Sequence, residues 1–308
     1  MIRTVGLTKR YGNYKAVDDL SMHIEKGSCF GFVGPNGAGK STTMSVLATL
    51  LEPTAGHAYV GGYDVVEEPA KVRQLIGYMP DFFGVYDSLT AVEYLEFYAG
   101  AYKVPKENRS ALIKDLLELV NLSGKADAFV DTLSRGMKQR LGLARCLIHD
   151  PEVLILDEPA SGLDPRARIE MKEILKALRG MGKTILISSH ILPELAEMCD
   201  TIGIIEQGKM IALAPVDQIA AQVAGHRVLR IRLLDRIEEA GYLLEQSELV
   251  TNVDIEGNAL LVTYTGDDNG QVTLLASLVS GGYPVLSYAE EAGNLEEVFL
   301  TVTKGVGS

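Results

Sequence analysis

The sequence predicts an α/β fold with a mainly parallel sheet core, followed by a small α+β domain, and three observations carry that reading. Val153-Leu-Ile-Leu156 and Thr184-Ile-Leu-Ile-Ser188 are short, near-continuous apolar runs rich in branched residues, the pattern of strands buried on both faces. They alternate with helical segments in the manner of strands joined by crossover helices. Beyond Leu213 the pattern changes, and a chain of 308 residues exceeds what one hydrophobic core usually serves, so one large and one small domain are expected.

Taken in order, Ser28-Cys-Phe-Gly-Phe-Val33 reads as a buried strand and Ser41 to Leu50 as a helix. Between them, Gly34-Pro-Asn36-Gly37-Ala38-Gly39-Lys40-Ser41, continuing into Thr42, fits the phosphate-binding loop with both glycines, the lysine and the hydroxyl in place. Glycines let successive backbone N–H groups turn inward around phosphates, the lysine meets the outer phosphates, and the hydroxyl suits magnesium. The competing reading of the loop alone is an ordinary glycine turn. A strand before it and a helix opening on the anion after it favour a nucleoside triphosphate.

Composition narrows the field further. Hydrophobic residues at 47% allow proper cores, yet no apolar run approaches the length needed to cross a bilayer, and Met1-Ile-Arg-Thr-Val-Gly lacks a signal peptide's apolar segment. A cytoplasmic chain is expected. Cys29, Cys146 and Cys199 are widely spaced in apolar surroundings, which argues for buried thiols rather than a metal or disulfide framework. A net charge of −12 disfavours sequence-independent nucleic-acid binding, so no nucleic-acid partner is expected.

The two apolar strands end in polar residues, Asp157-Glu158 and Ser189-His190, and the carboxyl ends of strands are where ligands sit in open α/β sheets. With a triphosphate nearby, Asp157 can hold magnesium through a water while Glu158 polarises the attacking water. A solvated strand end is the plainer alternative for the two acids, and a structural role is the plainer alternative for His190, which otherwise reaches the terminal phosphate and the water. Asp164 followed by Pro165 makes a helix cap, and the helix runs to about Arg179 before Met181-Gly182 closes it.

Leu133-Ser-Arg-Gly-Met-Lys-Gln-Arg-Leu141, just before the Asp157-Glu158 strand, completes a set of five motifs. From about Met1 to Leu213 the chain resembles the ATP-binding cassette of ABC transporters: phosphate loop, this signature-like segment, the strand ending in Asp157-Glu158, the Ser161-Gly-Leu-Asp164 turn and the switch histidine His190. The resemblance implies a P-loop NTPase cassette at residues 1–214 with a helical signature subdomain, a linker at 215–225 and an accessory domain at 226–308. It implies ATP and Mg2+ as ligands, and two cassettes paired head to tail, with each ATP between the phosphate loop of one copy and the signature of the other. By that resemblance Gly34, Asn36, Gly37, Ala38, Gly39, Lys40, Ser41 and Thr42 bind the phosphates, and Ser41, Asp157 and Asp81 serve the metal. Glu158 is the base with His190 beside it, Ser134 and Gly136 reach the partner's ATP, and Asp164 links the two sites. Tyr11 stands where the family places an adenine-stacking aromatic, unless it is simply a strand residue.

Phe82, Phe83, Tyr86, Tyr94, Phe97, Tyr98 and Tyr102 put seven of the chain's 20 aromatic residues into one short stretch. Such density suits an interface, and in the family this region receives a membrane permease; core packing is the rival reading for Tyr94, Phe97 and Tyr98, leaving chiefly Phe83 and Tyr86 for the partner. Past Leu213, Leu229 to Leu233 alternates as a strand, Asp235 is expected to cap a helix, and Val253 to Tyr264 turns at Gly257-Asn258. A helix through Val272, Leu275, Leu278 and Val279 follows, then a strand from Tyr283 to Ser287. Asn294 and Glu297 cap a last helix carrying Leu295, Val298, Phe299 and Val302, so a β-α-β-β-α-β unit of regulatory or dimer-supporting character is expected.

Met137-Lys-Gln-Arg140 and Leu295-Glu-Glu-Val-Phe299 resemble ABC-2 type exporter cassettes. The favoured function is therefore the ATPase subunit of a transporter, peripheral on the inner face of the cell membrane through a separate multi-spanning permease. The alternative is a soluble cassette acting on ribosomes or nucleic acid, for which two cassettes in one chain, a coiled-coil insertion or a basic surface would be the signs.

Two positions depart from the family pattern. Asp81 stands where these cassettes usually carry glutamine, and Arg135 replaces the first glycine of the signature. Either Asp81 of one copy and Arg135 of the other offset each other at a shared site, or Arg135 points into solvent. Offsetting charges predict that Asp81→Gln and Arg135→Gly are non-additive in a double-mutant cycle on the logarithm of the ATPase rate; additive effects separate the two.

Overall fold

The structure is a computed structural model in which residues 1–81, 84, 88–216, 227–264 and 267–291 are described. The chain divides into two compact units, Met1–Ala214 and Pro215–Ser308.

The first unit opens with an antiparallel sheet. Strands β1 (Ile2–Tyr11), β2 (Tyr14–Ile24), β4 (Ala55–Val60) and β5 (Tyr63–Asp64) pair in the order β2-β1-β4-β5. Ile2, Leu7, Leu20, Met22 and Ile24 are buried between exposed neighbours, so one face of this sheet lies on the core. The second sheet contains β3 (Cys29–Val33), β6 (Ile76–Met79), β7 (Val153–Leu156), β8 (Thr184–Ser189), β9 (Thr201–Glu206) and β10 (Lys209–Pro215) in the order β10-β9-β3-β8-β7-β6. Its inner pairs, β9 with β3, β3 with β8, β8 with β7 and β7 with β6, are parallel. Every residue of β3, β7 and β8 is buried, as continuous apolar runs require of strands covered on both faces. The expected α/β class with a mainly parallel core is the class observed.

Helix α1 (Lys40–Leu47) joins the two sheets into one core. Its Met44, Val46 and Leu47 belong to the same buried cluster as Leu20 and Val60 of the antiparallel sheet and Phe32, Ile155 and Leu186 of the parallel one. The loop between β3 and α1 is thus anchored from both sides.

Between α2 (Pro69–Leu75) with β6 on one side and β7 on the other come three longer helices, α3 (Ala91–Ala101), α4 (Lys106–Leu119) and α5 (Arg135–Leu147). Thr90 and Glu93 open α3 with a reciprocal capping box. Tyr94 is fully buried and meets Tyr98 edge-on at 5.1 Å, and the Arg145 guanidinium of α5 lies 5.3 Å above the Tyr98 ring. Arg145 Nη2 and Cys146 Sγ both donate to the Tyr78 carbonyl, while His149, stacked on Tyr102 at 4.1 Å, contacts the Ile76 carbonyl through Nε2. Tyr94, Tyr98 and Tyr102 therefore brace α5 against β6. Phe97 is half exposed. Phe82, Phe83 and Tyr86 lie outside the described residues.

Helices α6 (Pro165–Gly180) and α7 (Leu192–Ala196) follow β7 and β8. Asp164 Oδ1 accepts from the Ala167 N–H, Pro165 occupies the first turn, and Gly182 at φ 83° takes the left-handed backbone that ends the segment. Cys29, Cys146 and Cys199 are free and buried. Among the described residues no helix is long and apolar enough to cross a membrane.

The second unit contains β11 (Arg227–Leu233), α8 (Ile237–Glu245), β12 (Val250–Glu256), β13 (Ala259–Tyr264), α9 (Asp268–Ser280) and β14 (Val285–Glu291), with antiparallel strands in the order β12-β13-β11-β14. Leu229, Ile231 and Leu233 of β11 pack with Leu244, Leu274 and Leu278 from the helices. Asp235 does not cap α8. The cap position is Arg236 at φ 53° with no side-chain cap, and the Asp235 carboxylate lies 3.6 Å from the Arg236 guanidinium instead. Asp267 is the true side-chain cap, accepting from the Asn269 and Gly270 N–H groups at the start of α9. The last described strand starts at Val285, two residues after the expected Tyr283, because Pro284 has no N–H for a ladder. The span 217–225 and the helix expected from Asn294 to Val302 lie outside the described residues.

Ile155, fully buried between the sheets, predicts a clear cost of truncation: Ile155→Ala lowers unfolding stability by about 3 kcal/mol in urea titration. Ile169→Ala, on the exposed face of α6, stays within about 0.5 kcal/mol.

Candidate nucleotide-binding and hydrolysis site

The segment after β3 bends because its glycines have no alternative. Gly39 sits at φ 109°, and a Cβ there would lie 2.4 Å from the Ala16 carbonyl oxygen; at Gly34 a Cβ would lie 2.3 Å from the Ile205 carbonyl oxygen. Any side chain at either position forces backbone to move. The loop is also tied outward: the Tyr14 hydroxyl donates to the Gly37 carbonyl at 3.2 Å and the Gly208 N–H to the Ala38 carbonyl at 2.9 Å.

Lys40 begins α1 and is only 5% exposed. Its ammonium donates to the Gly34 carbonyl at 2.6 Å and the Pro35 carbonyl at 3.3 Å, and lies 3.6 Å from Glu158 Oε1, an ion-pair distance too long for a hydrogen bond. Burial lowers the Lys40 pKa, and the negative charges of Glu158, Asp157 and then Asp81 work against that lowering. Asp81, exposed just past β6, is thus within electrostatic reach of the lysine.

The strand ends supply the remaining groups. Asp157 is 2% exposed, and its Oδ1 accepts from the Ser188 hydroxyl at 2.6 Å; the same hydroxyl oxygen accepts the Glu158 N–H at 2.9 Å. One serine on β8 therefore fixes both acids just past the end of β7. Glu158 has φ 51°, a left-handed backbone that costs a non-glycine residue about 1 kcal/mol or more, and it persists where the surroundings dictate it. Its Oε2 lies 2.9 Å from His190 Nδ1, and its Oε1 is buried with no hydrogen-bond partner among the described residues. A buried acceptor left open between a lysine and a histidine is a place for a polar reactant.

Lys40, Asp157, Glu158 and His190 are accordingly brought together in one chain. Ser41 is exposed and Thr42 half-buried at the start of α1, with Asn36 and Gly37 on the exposed rim of the loop and Ala38 buried beneath it. Ser134 and Gly136 belong elsewhere. Ser134 caps α5, its hydroxyl accepting from the Met137 N–H, and among the described residues no hydrogen bond or ion pair joins it to Lys40, Asp157, Glu158 or His190. Gly136 is buried where a Cβ would lie 2.7 Å from Ala167 Cβ, so its smallness lets α5 approach α6. The Arg135 guanidinium occupies the space over Gly162, 2.7 Å from where a Cβ would stand, so it lies against the Ser161–Asp164 turn of its own chain. Tyr11 is half exposed with the Lys9 ammonium 5.5 Å above its ring. Tyr14, its cross-strand partner, is the tyrosine that touches the phosphate-type loop.

Sequence reasoning missed Ser188 and Tyr14. A serine closing an apolar strand beside the Asp157-Glu158 strand was the available signal for the first; nothing in the sequence distinguished Tyr14 from Tyr11. The donor set suits magnesium, a hard ion that takes one or two protein oxygens and completes its shell with phosphate and water: the Ser41 hydroxyl and the Asp157 carboxylate are such oxygens.

Comparison with known proteins now decides the family. A model of the ABC transporter family matches residues 17–161. Full-length similarity goes further: the linearmycin resistance ATP-binding protein LnrL of Bacillus subtilis is 33% identical, with 98% of each chain covered. The chain belongs to the ABC transporter family. The Nod factor export ATP-binding protein I of Burkholderia orbicola is 38% identical over 96% of this chain and 94% of its own, and the bacitracin transport ATP-binding protein BcrA of Bacillus licheniformis 36% identical over 99% and 98%. Among solved structures, an ATP-binding subunit of an ABC transporter superposes with TM-score 0.65 at 29% identity, covering 73% of this chain and 93% of that one. The ATP-binding cassette MJ0796, in a dimeric post-hydrolysis state with ADP and Pi, superposes with TM-score 0.64 at 25% identity, covering 70% and 99%. This chain is an ATP-binding ABC transporter ATPase.

The loop geometry predicts that Gly39→Ala abolishes nucleotide binding measured by isothermal titration calorimetry, because both its φ and the Ala16 carbonyl forbid a Cβ. Gly180→Ala, in open space, leaves the affinity unchanged within about twofold.

Proposed function

We propose that this chain is the ATPase subunit of an exporter whose membrane-spanning path belongs to a separate permease, and that two cassettes work as a head-to-tail dimer. The observation that carries the catalytic part is the meeting of Lys40, Glu158 and His190 at the carboxyl ends of β3, β7 and β8, with Glu158 Oε1 buried and open. Support for export comes from relatives named for Nod factor export, bacitracin transport and linearmycin resistance, which align along nearly the whole chain, beyond residue 214 as well as before it.

In this reading the Gly34–Thr42 loop wraps the phosphates with its N–H groups, and the Lys40 ammonium exchanges its loop carbonyls for phosphate oxygens. Magnesium, held through Ser41 and Asp157 with Asp81 nearby, neutralises phosphate charge when bound. Glu158 orients a water through its carboxylate and takes its proton as the water oxygen bonds to the terminal phosphorus and the bond to the leaving phosphate oxygen breaks. His190 holds the Glu158 carboxylate in place through Oε2. Tyr11, half exposed at the end of β1, takes the adenine by ring stacking. Ser134, at the exposed start of α5, meets the ATP of the second cassette, and Gly136 keeps that helix start close to α6. Asp164 carries the connection between sites. ATP-driven pairing and post-hydrolysis separation shift the permease between states, a population shift that needs contacts present in only one state. The chain then works at the inner membrane surface by way of the permease, and no nucleic acid takes part.

Glu158→Gln is expected to lower ATP turnover by about 10²–10³-fold while preserving ATP binding. A tagged Glu158→Gln chain, extracted from its native membranes in mild detergent with ATP, is expected to carry a multi-spanning protein in stoichiometric amount by mass spectrometry. Ribosomal proteins or nucleic-acid factors without a membrane protein would overturn the exporter reading.

A further inference from the structure

The Ser161–Asp164 turn is tied to both members of the Glu158–His190 pair, by two different routes. The first is backbone: the Ser161 N–H donates to the Glu158 carbonyl at 3.0 Å, so the turn grows directly out of the residue that holds the base. The second runs through side chains. Arg168, one turn into α6, reaches back with Nη2 to the Leu163 carbonyl at 3.5 Å and places Nε 2.9 Å from Glu194 Oε1. Glu194 lies in the first turn of α7, four residues beyond His190, and its side chain is 10% exposed.

The Arg168–Glu194 contact has an unusual quality. Although the atoms are at contact distance, the Nε–H is not aligned on the carboxylate oxygen, and neither atom has another hydrogen-bond partner among the described residues. In this ion pair the two contacting atoms are buried and their hydrogen bond is unmade, while the Arg168 side chain as a whole is 42% exposed. A small relative movement of α6 and α7 changes its energy more than it would change that of a saturated pair, because the alignment is still to be gained. Burial raises the Glu194 pKa, Arg168 and His190 act against the rise, and Glu158 adds to it, so the carboxylate lies within the electrostatic field of the reacting pair.

We infer that Arg168 and Glu194 are positioning residues for hydrolysis: through Leu163 and α7 they reference His190 to the same turn that references Glu158, so that a shift of the Ser161–Asp164 turn resets the 2.9 Å contact between the two. The inference rests on the proposed head-to-tail pairing, in which that turn is the part of the chain addressed by the second cassette. A merely structural role would tie α6 to α7 and affect stability alone.

Epistasis with His190 tells the two apart. In the full chain Glu194→Gln is expected to lower kcat about tenfold, with the KM for ATP and the thermal midpoint essentially unchanged. In a His190→Ala background, with residual hydrolysis followed by release of labelled phosphate, the same change is expected to alter the rate by less than twofold, since the group it acts through is gone. Equal fold losses in both backgrounds, or an unchanged kcat in the otherwise native chain, overturn the inference. Arg168→Gln gives the same comparison if Glu194→Gln does not fold. The pairing is read separately, by ATP-dependent dimerisation of Glu158→Gln in size-exclusion chromatography. Failure to dimerise removes the head-to-tail reading while the His190 comparison still reports on the link.

Discussion

A buried ammonium facing a carboxylate with one buried oxygen sets the terms for the rest of this molecule. Lys40, at the start of α1, and Glu158, just past β7, arrive from different elements and would each be costly to bury alone. Their approach is possible because β3 and β7 lie on either side of β8, parallel to it, with β8 supplying Ser188 to hold the acids and leading directly into His190, which flanks the glutamate. The glycines of the loop are the other half of the constraint: they allow the lysine's helix to begin against the Ala16 and Ile205 carbonyls, where no side chain fits.

The helical part answers a different need. Helix α5 leaves its N-terminus exposed while its C-terminal turns are fixed to the sheet. Its two ends are built accordingly: an exposed serine cap at the start and, near the end, Arg145 and Cys146 bonded to the Tyr78 carbonyl. Gly136 and Ala167 set the spacing of α5 and α6, so small residues at that crossing control how far the exposed end projects. Arg135 reaches from the same end to the Gly162 turn, giving the departure from the family pattern a contact within its own chain.

What the sequence made legible was chemistry that needs particular residues in a row. The phosphate loop, the Asp157-Glu158 strand end, His190 and the Asp164-Pro165 cap all depend on local spacing, and the structure brings the first three into one cluster. What it hid were contacts made between distant elements. Ser188 matters because β7 lies beside it, Tyr14 because a hairpin tip folds onto the loop, and Arg168 because α7 returns near α6; none of these follows from periodicity. The antiparallel sheet of β1, β2, β4 and β5 went unread although its alternation was present in Ile2, Leu7, Leu20 and Met22. The cap at Asp235 failed because an acidic residue before a helix can pair with the adjacent arginine instead. Roles that depend on a second copy, those of Ser134, Gly136 and Asp164, came from family resemblance and have no counterpart in the contacts of one chain.

The left-handed backbone of Glu158 has an evolutionary consequence. At φ 51° the residues that sit with least strain are glycine, asparagine and aspartate, so substitution there by any of them relaxes the local backbone, although it takes from the buried Lys40 ammonium the carboxylate that faces it. Each also removes the carboxylate or withdraws it by a methylene. A change at this one codon therefore sheds backbone strain as it removes the carboxylate, and its cost falls on the charge balance around Lys40 instead of on the course of the chain.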